Sequence, residues 1–544
     1  MGATQLSAKK KERKVSRRTA GRGPATYDVI VVGGGPAGSV AAWALARGGA
    51  SVLVLDRSNF PRDKVCGDFV EPRGLRIFAS IGCLDDLQAP GPLPITRCST
   101  YVSGERSYCG PIPFYRGEHG TPAHGYILPR RSLDQTLLRA AEHAGAVIWE
   151  GHAVGRIDIG SRDVQVAAVS ASTVRKVSSR LIVGADGVNS VVARAAGLLG
   201  TDARHIAVSQ RAYAQGLSRD LGEAAFFFDE DLFPGYGWMF PMAGKRANVG
   251  IGILSETRQR LGLSVPSLFR TFIEKLRKCH PLCRRLRLDK PPIGGIVKTY
   301  GCAGPNYFRR GVLVGDAGCF VDPMTGEGIA LAMESALLAA PVLLEALRKA
   351  DFSKTALAPY ESAFRAYFDP SMVFPELCAA LLRNRHMARP WLTATARAGE
   401  IAQSDPEFAR HAGACFGGFE IVPRSILSHI AGATLRDLMP SVPRRNSASI
   451  RRPGSGSKLL FEAVQCQTDW CRSLLADPLW HLGWMADVYR TWLRALPFMN
   501  NTTNDPRLRG PTARRFAISC RPDRRSQPPG GEGRGRLRAA RQRG

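Results

Sequence analysis

The segment that most constrains the fold is an apolar strand that runs directly into a glycine turn and then into a helix. The strand-like run Tyr27–Val32 passes into the turn GGGPAG and a helix-favouring stretch that ends at Ala46. Gly33 permits the tight turn, Gly35 lets the backbone approach a pyrophosphate, and Gly38 lets the helix pack on the strand. The N-terminus of such a helix attracts an anion. The pattern predicts a Rossmann-like dinucleotide-binding unit.

A second strand and a carboxylate extend this unit. The apolar run Ser51–Leu55 ends in Asp56, which lies 23 positions after Gly33. A carboxylate at about that spacing binds the hydroxyl groups of an adenosine ribose. The unit by itself does not distinguish NAD from FAD.

Two distant segments favour FAD. Leu181–Gly184 has the composition of a strand and leads into a turn at Asp186 and Gly187. Further along, the strand-like run Gly311–Val314 leads to Asp316 and then to a glycine-rich helix start. With these motifs in this order and spacing, the chain resembles the large FAD-dependent family typified by para-hydroxybenzoate hydroxylase.

The resemblance implies a set of residues that hold FAD. They are Gly33, Gly35, Ala37, Gly38, Asp56, Arg57, Arg130, Asp186, Gly187, Asp316, Gly326, Gly328 and Ile329. Asp186 and Gly187 would brace the FAD, and Asp316 would accept hydrogen bonds from its ribityl chain. Gly326 and Gly328 would present N–H groups to the pyrimidine edge of the flavin, where a helix N-terminus stabilises the negative charge of the reduced ring.

The assignment of the flavin-contacting arginine has an alternative. Arg130 stands four positions before Asp134 and matches the flavin-contacting arginine of the family. Its neighbour Arg131 leaves the assignment ambiguous, and a solvated arginine at a helix start is the alternative.

An aromatic pattern concerns the substrate. Tyr236, Trp238 and Phe240 occupy alternate positions of a predicted strand, so their side chains share one face of a sheet. Such a face suits an apolar substrate, although ordinary sheet core is the alternative. Together with Pro241 and the later pair Gly250-x-Gly252, the pattern resembles the substrate-site signature of the geranylgeranyl reductase branch, which hydrogenates isolated double bonds of prenyl chains.

A second segment resembles the same branch and implies the proton chemistry. In K-V-C-G-D-F-V-E-P, Cys66 would lie beside the flavin ring. Alkene reduction takes a hydride from reduced flavin and a proton from a donor, and a neutral thiol in an apolar pocket keeps its proton for that purpose. Asp68 and Lys64 are alternatives as donor or as tuning charges. A small buried cysteine and a solvated loop at Lys64 are the structural alternatives.

These observations predict an α/β fold: a Rossmann-like, GR2-type FAD-binding domain with an interleaved antiparallel β-sheet substrate domain and a helical C-terminal region. The predicted divisions are a disordered basic tail at 1–25, the FAD-binding domain at 26–355 with its interleaved sheet at about 91–125 and 203–300, a helical region at 356–500, and a disordered Arg-rich tail at 501–544.

The predicted function is FAD-dependent reduction of a prenyl chain on a lipid or isoprenoid quinone, with NADPH or reduced ferredoxin as electron donor. The alternative is a FAD-dependent monooxygenase, hydroxylase or halogenase-like, that acts on an aromatic or apolar small molecule. A halogenase is expected to carry Trp-x-Trp-x-Ile-Pro, which is replaced here by Tyr236-x-Trp238-x-Phe240-Pro241. A noncatalytic flavoprotein would leave the thiol and the aromatic wall unexplained.

Charge is concentrated at the ends of the chain. Residues 1–23 hold eight Lys or Arg against one Glu, and residues 501–544 hold twelve Arg against three acidic residues, so 16 of the 29 excess positive charges lie there. The charge therefore gives little support to nucleic-acid binding. The remaining basic surface favours contact with an anionic membrane face.

The remaining patterns bear on location. The 13 cysteines are scattered without a secretory signal or a zinc-site spacing, which predicts reduced thiols and no metal. No run of eighteen uncharged apolar residues occurs outside the glycine-turn region, so we expect a cytoplasmic protein that is peripheral to the inner membrane face at most. Trp480, Trp484, Val488 and Trp492 predict a helix with an apolar stripe that packs on the body, closes over a prenyl chain or lies in a lipid interface.

Overall fold

The computed structural model describes residues 25–112, 124–171, 173–302, 304–409 and 471–499, with a few short stretches between 412 and 465. Apart from residue 25, the predicted tails at 1–25 and 501–544 lie outside the described residues, so their predicted disorder is untested.

Strands build three sheets. In chain order they are β1 (Ala25–Val32), β2 (Val52–Leu55), β3 (Phe69–Val70), β4 (Pro94–Ile95), β5 (Arg97–Val102), β6 (Glu105–Pro111), β7 (Gly125–Ile127), β8 (Val147–Trp149), β9 (Ala153–Ile159), β10 (Val164–Ser170), β11 (Thr173–Gly184), β12 (Ile206–Gln215), β13 (Glu223–Phe228), β14 (Tyr236–Met242), β15 (Arg246–Leu254), β16 (Arg287–Leu288), β17 (Ile293–Lys298), β18 (Tyr307–Phe308) and β19 (Gly311–Leu313).

Helices cover the sheets and form the C-terminal part of the body. In chain order they are α1 (Pro36–Arg47), α2 (Pro72–Ile81), α3 (Leu84–Gln88), α4 (Arg130–His143), α5 (Val191–Ala195), α6 (Ser255–Arg260), α7 (Val265–Cys279), α8 (Ile329–Lys349), α9 (Lys354–Leu357), α10 (Pro359–Leu382), α11 (Ala388–Ser404) and α12 (Pro478–Met499).

The first sheet has a parallel centre in the order β19-β11-β1-β2-β8. The long strand β11 pairs through its first half with the antiparallel hairpin β9–β10, and through its end with β19. Apolar side chains of α1, α4 and α8 bury one face of this sheet. The other face packs on the β9–β10 hairpin. The parallel order with helices on one face is a Rossmann-like arrangement.

The glycine turn after β1 is held by close backbone contacts. Gly33 has a φ of +102°, and a Cβ there would lie 2.3 Å from the carbonyl oxygen of Ala185. A Cβ on Gly38 would lie 1.8 Å from the carbonyl oxygen of Gly33. Both positions therefore exclude larger residues, and they place the N-terminus of α1 at the carboxyl end of the parallel strands.

The second sheet runs in the order β16-β12-β15-β14-β13-β5-β6, with β17 also paired to β12. Its pairs are antiparallel except β13 and β5. Met239 of β14 packs under α7 in one apolar cluster, whereas Trp238 and Phe240 belong to a cluster on the opposite face. The alternation of a strand thus turns one face of this sheet toward a helix and the other toward a cavity.

The C-terminal helices pack outward from α8. Helix α10 contacts α8, α12 contacts α10, and α11 covers β6. In α12, Trp484 donates its indole N–H to the carbonyl oxygen of Ala380 at 2.8 Å, and Val488 packs against α10. Trp492 is 39% exposed. Most of the predicted apolar stripe therefore packs on the body.

The α/β fold class with a second, antiparallel sheet is confirmed. The second sheet draws its strands from residues 97–111 and 206–298, inside the predicted substrate-domain segments, and the exact domain divisions stay a prediction. Among the described residues, α8 is long and apolar enough to span a membrane by length and composition alone, yet 72% of its apolar window is buried inside the protein.

Candidate active site

The glycine turn is open where a pyrophosphate is expected. Within 4 Å, a Cβ on Gly35 would meet two guanidinium nitrogens, Arg62 Nη2 at 3.4 Å and Arg130 Nη2 at 4.0 Å. No side chain caps the N-terminus of α1, so its backbone N–H groups remain available. A helix start with free N–H groups and nearby guanidinium groups suits a diphosphate.

Asp56 lies at the end of β2 beside this turn. Its buried carboxylate accepts hydrogen bonds from Gly34 N at 2.7 Å and from Ser58 N at 2.8 Å. These bonds fix its orientation and leave lone pairs for ribose hydroxyl groups. The neighbouring Arg57, predicted with it, is exposed.

Asp186 lies against the same turn but directs its carboxylate inward. Its oxygens accept hydrogen bonds from the hydroxyl of Ser190 at 2.5 Å and from Val191 N at 2.6 Å, so the side chain closes the start of α5. Gly187 follows with a φ of +82°. The carboxylate thus shapes the turn, and the predicted part of Asp186 and Gly187 in bracing FAD stays a prediction.

Asp316 follows β19 and forms an ion pair with Lys64, with 2.8 Å between Nζ and Oδ2. Burial by itself would raise the pKa of Asp316, but the charges of Lys64 and Arg130 outweigh it and hold the pKa below its usual range. Asp316 is therefore ionised near neutral pH and suited to accept hydrogen bonds from a ribityl chain. Lys64 is an ion-paired residue at the cavity edge with a side chain that is 40% exposed, and its role as a tuning charge stays a prediction.

Burial distinguishes the two adjacent arginine residues, Arg130 and Arg131. Arg130 is 3% exposed and forms two hydrogen bonds with Asp134, at 2.7 and 2.8 Å, whereas Arg131 is exposed. Arg62, which the sequence did not single out, pairs with the same carboxylate at 2.7 Å. The buried arginine is thus the one placed beside the glycine turn.

One cavity brings together ten of the predicted site residues. They are Cys66, Asp68, Arg130, Tyr236, Trp238, Phe240, Asp316, Gly326, Gly328 and Ile329. The other predicted residues, which lie around the glycine turn, are Gly33, Gly35, Ala37, Gly38, Asp56, Arg57, Asp186 and Gly187. Pro36 at the start of α1 also lines the cavity, so the turn and the cavity are continuous.

The aromatic wall formed by Tyr236, Trp238 and Phe240 packs on a glycine residue of the neighbouring strand β15. The rings of Tyr236 and Trp238, and of Trp238 and Phe240, have centroids 6.1 Å apart in each case. Trp238 lies flat across β15, where a Cβ on Gly250 would be only 2.1 Å from its Cζ2. The first glycine of the Gly250-x-Gly252 pattern therefore makes room for the indole.

Opposite this wall lies the short loop from Cys66 to Asp68, and one amide side chain joins the two. Asn248 accepts a hydrogen bond from the indole N–H of Trp238 at 2.9 Å. Its Nδ2 donates to the carbonyl oxygen of Cys66 and to Asp68 Oδ2, both at 2.9 Å. Asn248 stands two positions before Gly250, and nothing in the sequence pattern indicates these partners.

Asp68 is fully buried and strongly perturbed. Burial raises its pKa to about 7, against the opposing effects of a hydrogen bond from Tyr213 and the charges of Arg211 and Arg130. The Tyr213 hydroxyl donates to Oδ2 at 2.5 Å, and Oδ1 has no hydrogen-bond partner among the described residues. Asp68 can therefore carry a proton at neutral pH and present it to the cavity.

Two further residues of β12 hold this loop and were missed from the sequence. Arg211, 2% exposed, donates to Asp63 and to the carbonyl oxygen of Lys64, both at 2.9 Å. Its guanidinium lies 4.3 Å from the ring centroid of Tyr213. The alternation along a strand was the available signal, because Arg211 and Tyr213 are two positions apart and share a face.

Cys66 lines the cavity and remains a thiol. Burial raises its pKa, so the sulfur keeps its proton at neutral pH. The backbone N–H of Asp68 donates to the sulfur at 3.3 Å. A protonated thiol and a carboxyl group that holds its proton up to a pH of about 7 thus lie close together in a pocket walled by aromatic rings. The arrangement can deliver a proton to an apolar ligand held beside it.

The comparisons with known proteins agree with this geometry. Residues 26–221 match the FAD binding domain family, and residues 205–283 match the geranylgeranyl reductase catalytic domain family. The glycine turn, the open helix start and the buried carboxylates fit FAD, and the fold and site define an FAD-dependent oxidoreductase.

Two curated relatives narrow the class. Digeranylgeranylglycerophospholipid reductase 2 of Methanopyrus kandleri is 32% identical over 351 residues, which cover 63% of this chain and 83% of the relative. Menaquinone reductase of Mycobacterium tuberculosis is 32% identical over 329 residues, 58% of this chain and 76% of the relative. The chain belongs to the geranylgeranyl reductase family of FAD-dependent oxidoreductases.

Solved structures support the fold alone. A geranylgeranyl bacteriochlorophyll reductase-like protein of Thermoplasma acidophilum superposes with a TM-score of 0.60 at 24% identity, over 69% of this chain and 92% of that protein. A myxobacterial chondrochloren halogenase gives a TM-score of 0.54 at 24% identity, over 63% and 80% of the two chains.

Substituting Gly250 tests the packing of the wall. Gly250→Ala would place a methyl group inside the Trp238 ring, so we expect a loss of about 1–3 kcal/mol in unfolding free energy and a shift in tryptophan fluorescence. The matched control is Gly252→Ala, whose Cβ would have its nearest contact at 3.9 Å from Trp238 and should change little. Equal effects of the two variants would contradict the role of Gly250.

Proposed function

We propose that this enzyme reduces isolated double bonds of a prenyl chain carried by a lipid or an isoprenoid quinone. When bound, FAD supplies the hydride, and the residues of the chain position the alkene and supply the proton. The named activities of the two curated relatives support this substrate class.

The observation that carries the proposal is the cavity itself. Beyond the aromatic wall, its lining is dominated by large apolar side chains that suit a hydrocarbon chain. They include Phe226, Phe228, Phe233, Ile253, Leu254, Ile296, Val321, Met372, Leu382 and Leu392. The same cavity contains the residues expected around the flavin, so an apolar chain bound there would lie against the reactive ring.

Cys66 is the proposed proton donor to the second alkene carbon. Burial raises the pKa of its thiol, so the thiol is neutral, and Cys66 lines the cavity. Asp68, held by Tyr213 and Asn248, is proposed to restore the proton to the sulfur.

The electron donor and the location complete the proposal. We expect NADPH or reduced ferredoxin to reduce the flavin in a cytoplasmic enzyme with peripheral membrane contact. Exposed apolar residues on α12, which include Leu479, Leu482 and Leu493, support contact with a lipid surface. Arg490 and Arg494 on the same helix would favour anionic headgroups.

Product analysis tests the reaction class. The FAD-loaded protein is chemically reduced without oxygen and mixed with prenyl quinones and geranylgeranyl lipids. We expect flavin reoxidation and products heavier by pairs of hydrogen atoms, because hydride and proton add across each double bond. Reoxidation only after admission of air, with products heavier by one oxygen atom, would establish the monooxygenase alternative.

A substitution at Cys66 tests its role as the proton donor. Cys66→Ser should leave FAD absorbance unchanged and slow single-turnover alkene reduction by roughly 100-fold or more, because the hydroxyl is a weaker acid. If the rate is unchanged, Cys66 is not the donor.

The pH profile tests Asp68. Its pKa is raised to about 7, so its proton is present below that pH and lost above it, and turnover should fall as pH rises through about 7. Asp68→Asn should abolish this fall together with most of the rate. Tyr213→Phe is the matched control: it removes a donor that favours the ionised carboxylate, so the fall should move to higher pH. A profile unaffected by either substitution would contradict the role of Asp68.

A further inference from the structure

A second group of carboxyl side chains lines the same cavity. Glu71 immediately precedes α2, and Glu327 lies in the turn before α8. Glu71 is 1% exposed, and neither of its carboxyl oxygens has a hydrogen-bond partner among the described residues. Glu327 is half-buried, and its Oε1 accepts a hydrogen bond from Ala330 N at 2.9 Å. A buried carboxyl group with both oxygens unsatisfied is costly as a carboxylate and much less so when protonated.

Arg73 lines the same cavity and pairs with a further carboxyl group. Arg73 donates from Nε to Glu334 Oε1 at 2.6 Å, and the Tyr367 hydroxyl donates to the same oxygen at 2.7 Å. Glu334 is itself 1% exposed. The carboxyl groups of Glu71, Asp322, Glu327 and Glu334 therefore share the charge of Arg73, and full ionisation would place four negative charges around that guanidinium group.

At Glu71 and Glu327, burial and the neighbouring carboxylates outweigh the opposing charge of Arg73. Burial raises the pKa of Glu71 to about 7, with Arg73 opposing and Glu334 adding to the shift. Burial and the adjacent Glu71 charge raise the pKa of Glu327 well above its usual range. Two carboxyl groups that share a site in this way retain a proton between them at neutral pH.

The position of Glu327 links this pair to the flavin. It lies between Gly326, whose N–H donates to the carbonyl oxygen of Asp322 at 3.0 Å, and Gly328, whose N–H is expected at the pyrimidine edge of the ring. Reduced flavin carries negative charge at that edge, and a new negative charge nearby raises the proton affinity of a carboxyl pair.

We infer that Glu71 and Glu327 form a redox-linked proton store, which holds one proton beside oxidised FAD and takes up a second from solvent when FAD is reduced. The inference rests on the proposed function for the placement of the flavin. Two electrons, from a hydride donor or a one-electron carrier, enter with one proton on the flavin and one on the pair. Alkene reduction then forms two C–H bonds, one from the hydride and one from the Cys66 thiol proton, and the stored proton restores the thiol through Asp68 or solvent.

The proton count of flavin reduction tests the store without any substrate. The dependence of the FAD midpoint potential on pH, measured between about pH 7 and 8.5, reports the number of protons taken up with two electrons. We expect two protons for the wild type and one for the double variant Glu71→Gln, Glu327→Gln. Asp68→Asn is the comparison: it should retain two. One proton in Asp68→Asn, with two in the double variant, would overturn the assignment of the store.

A stability measurement on the apoprotein gives an independent result. A carboxyl group whose folded pKa is raised stabilises the fold below its unfolded pKa and loses that effect as pH rises through the folded value, about 7 for Glu71. Glu71→Gln should therefore raise the unfolding temperature at pH 8.5 and change it little at pH 5.

The matched control is Glu345→Gln on the exposed part of α8, which pairs with Arg348 and should not raise the unfolding temperature at either pH. An equal effect of Glu71→Gln at both pH values would overturn the inference that Glu71 and Glu327 share a proton. Neither measurement uses a prenyl substrate, so failure of the store is distinguishable from failure of the proposed reaction.

Discussion

The site depends on one amide side chain that connects two parts of the chain. Asn248 accepts from the indole of Trp238 and donates to the Cys66 carbonyl and to Asp68. It thereby fixes the distance between the aromatic wall, on which a hydrocarbon can lie, and the loop that carries the acid groups. The hydrogen bonds to Trp238 and Asp68 are buried, where the loss of one partner costs more than it does in water.

Burial is also the physical origin of the proposed chemistry. An aromatic pocket suits a prenyl chain, and burial in it keeps protons on groups that would lose them in water. Cys66, Asp68 and the pair formed by Glu71 and Glu327 are all affected in this direction. Asp316 is the exception, because Lys64 and Arg130 supply positive charge beside it. Charged contacts on the cofactor side and protonated acids elsewhere are thus consistent with one enclosed cavity.

The sequence was sufficient for local features. The glycine turn, the second strand with Asp56 and the alternating aromatic residues each depend on a few neighbouring residues, and the family resemblance ordered them correctly. Gly33 and Gly38 could be assigned because their backbone contacts allow no side chain. The roles assigned to individual site residues stay predictions.

Contacts between distant segments could not be predicted in the same way. Asn248 and Asp68 are 180 positions apart, and Lys64 and Asp316 are 252 apart. Which of the adjacent residues Arg130 and Arg131 is buried depends on how α4 packs on the body. Glu71 and Glu327 look like ordinary polar residues in the sequence and become notable only when the fold brings them into one cavity.

The central claim is that one cavity receives both the flavin and a prenyl chain. A crystal structure of the FAD complex with a bound prenyl quinone tests it most directly. We expect the hydrocarbon to lie along Tyr236, Trp238 and Phe240, with one double bond between the flavin ring and the Cys66 sulfur. A chain bound outside this cavity, or a flavin ring that separates Cys66 from the chain, would contradict the account.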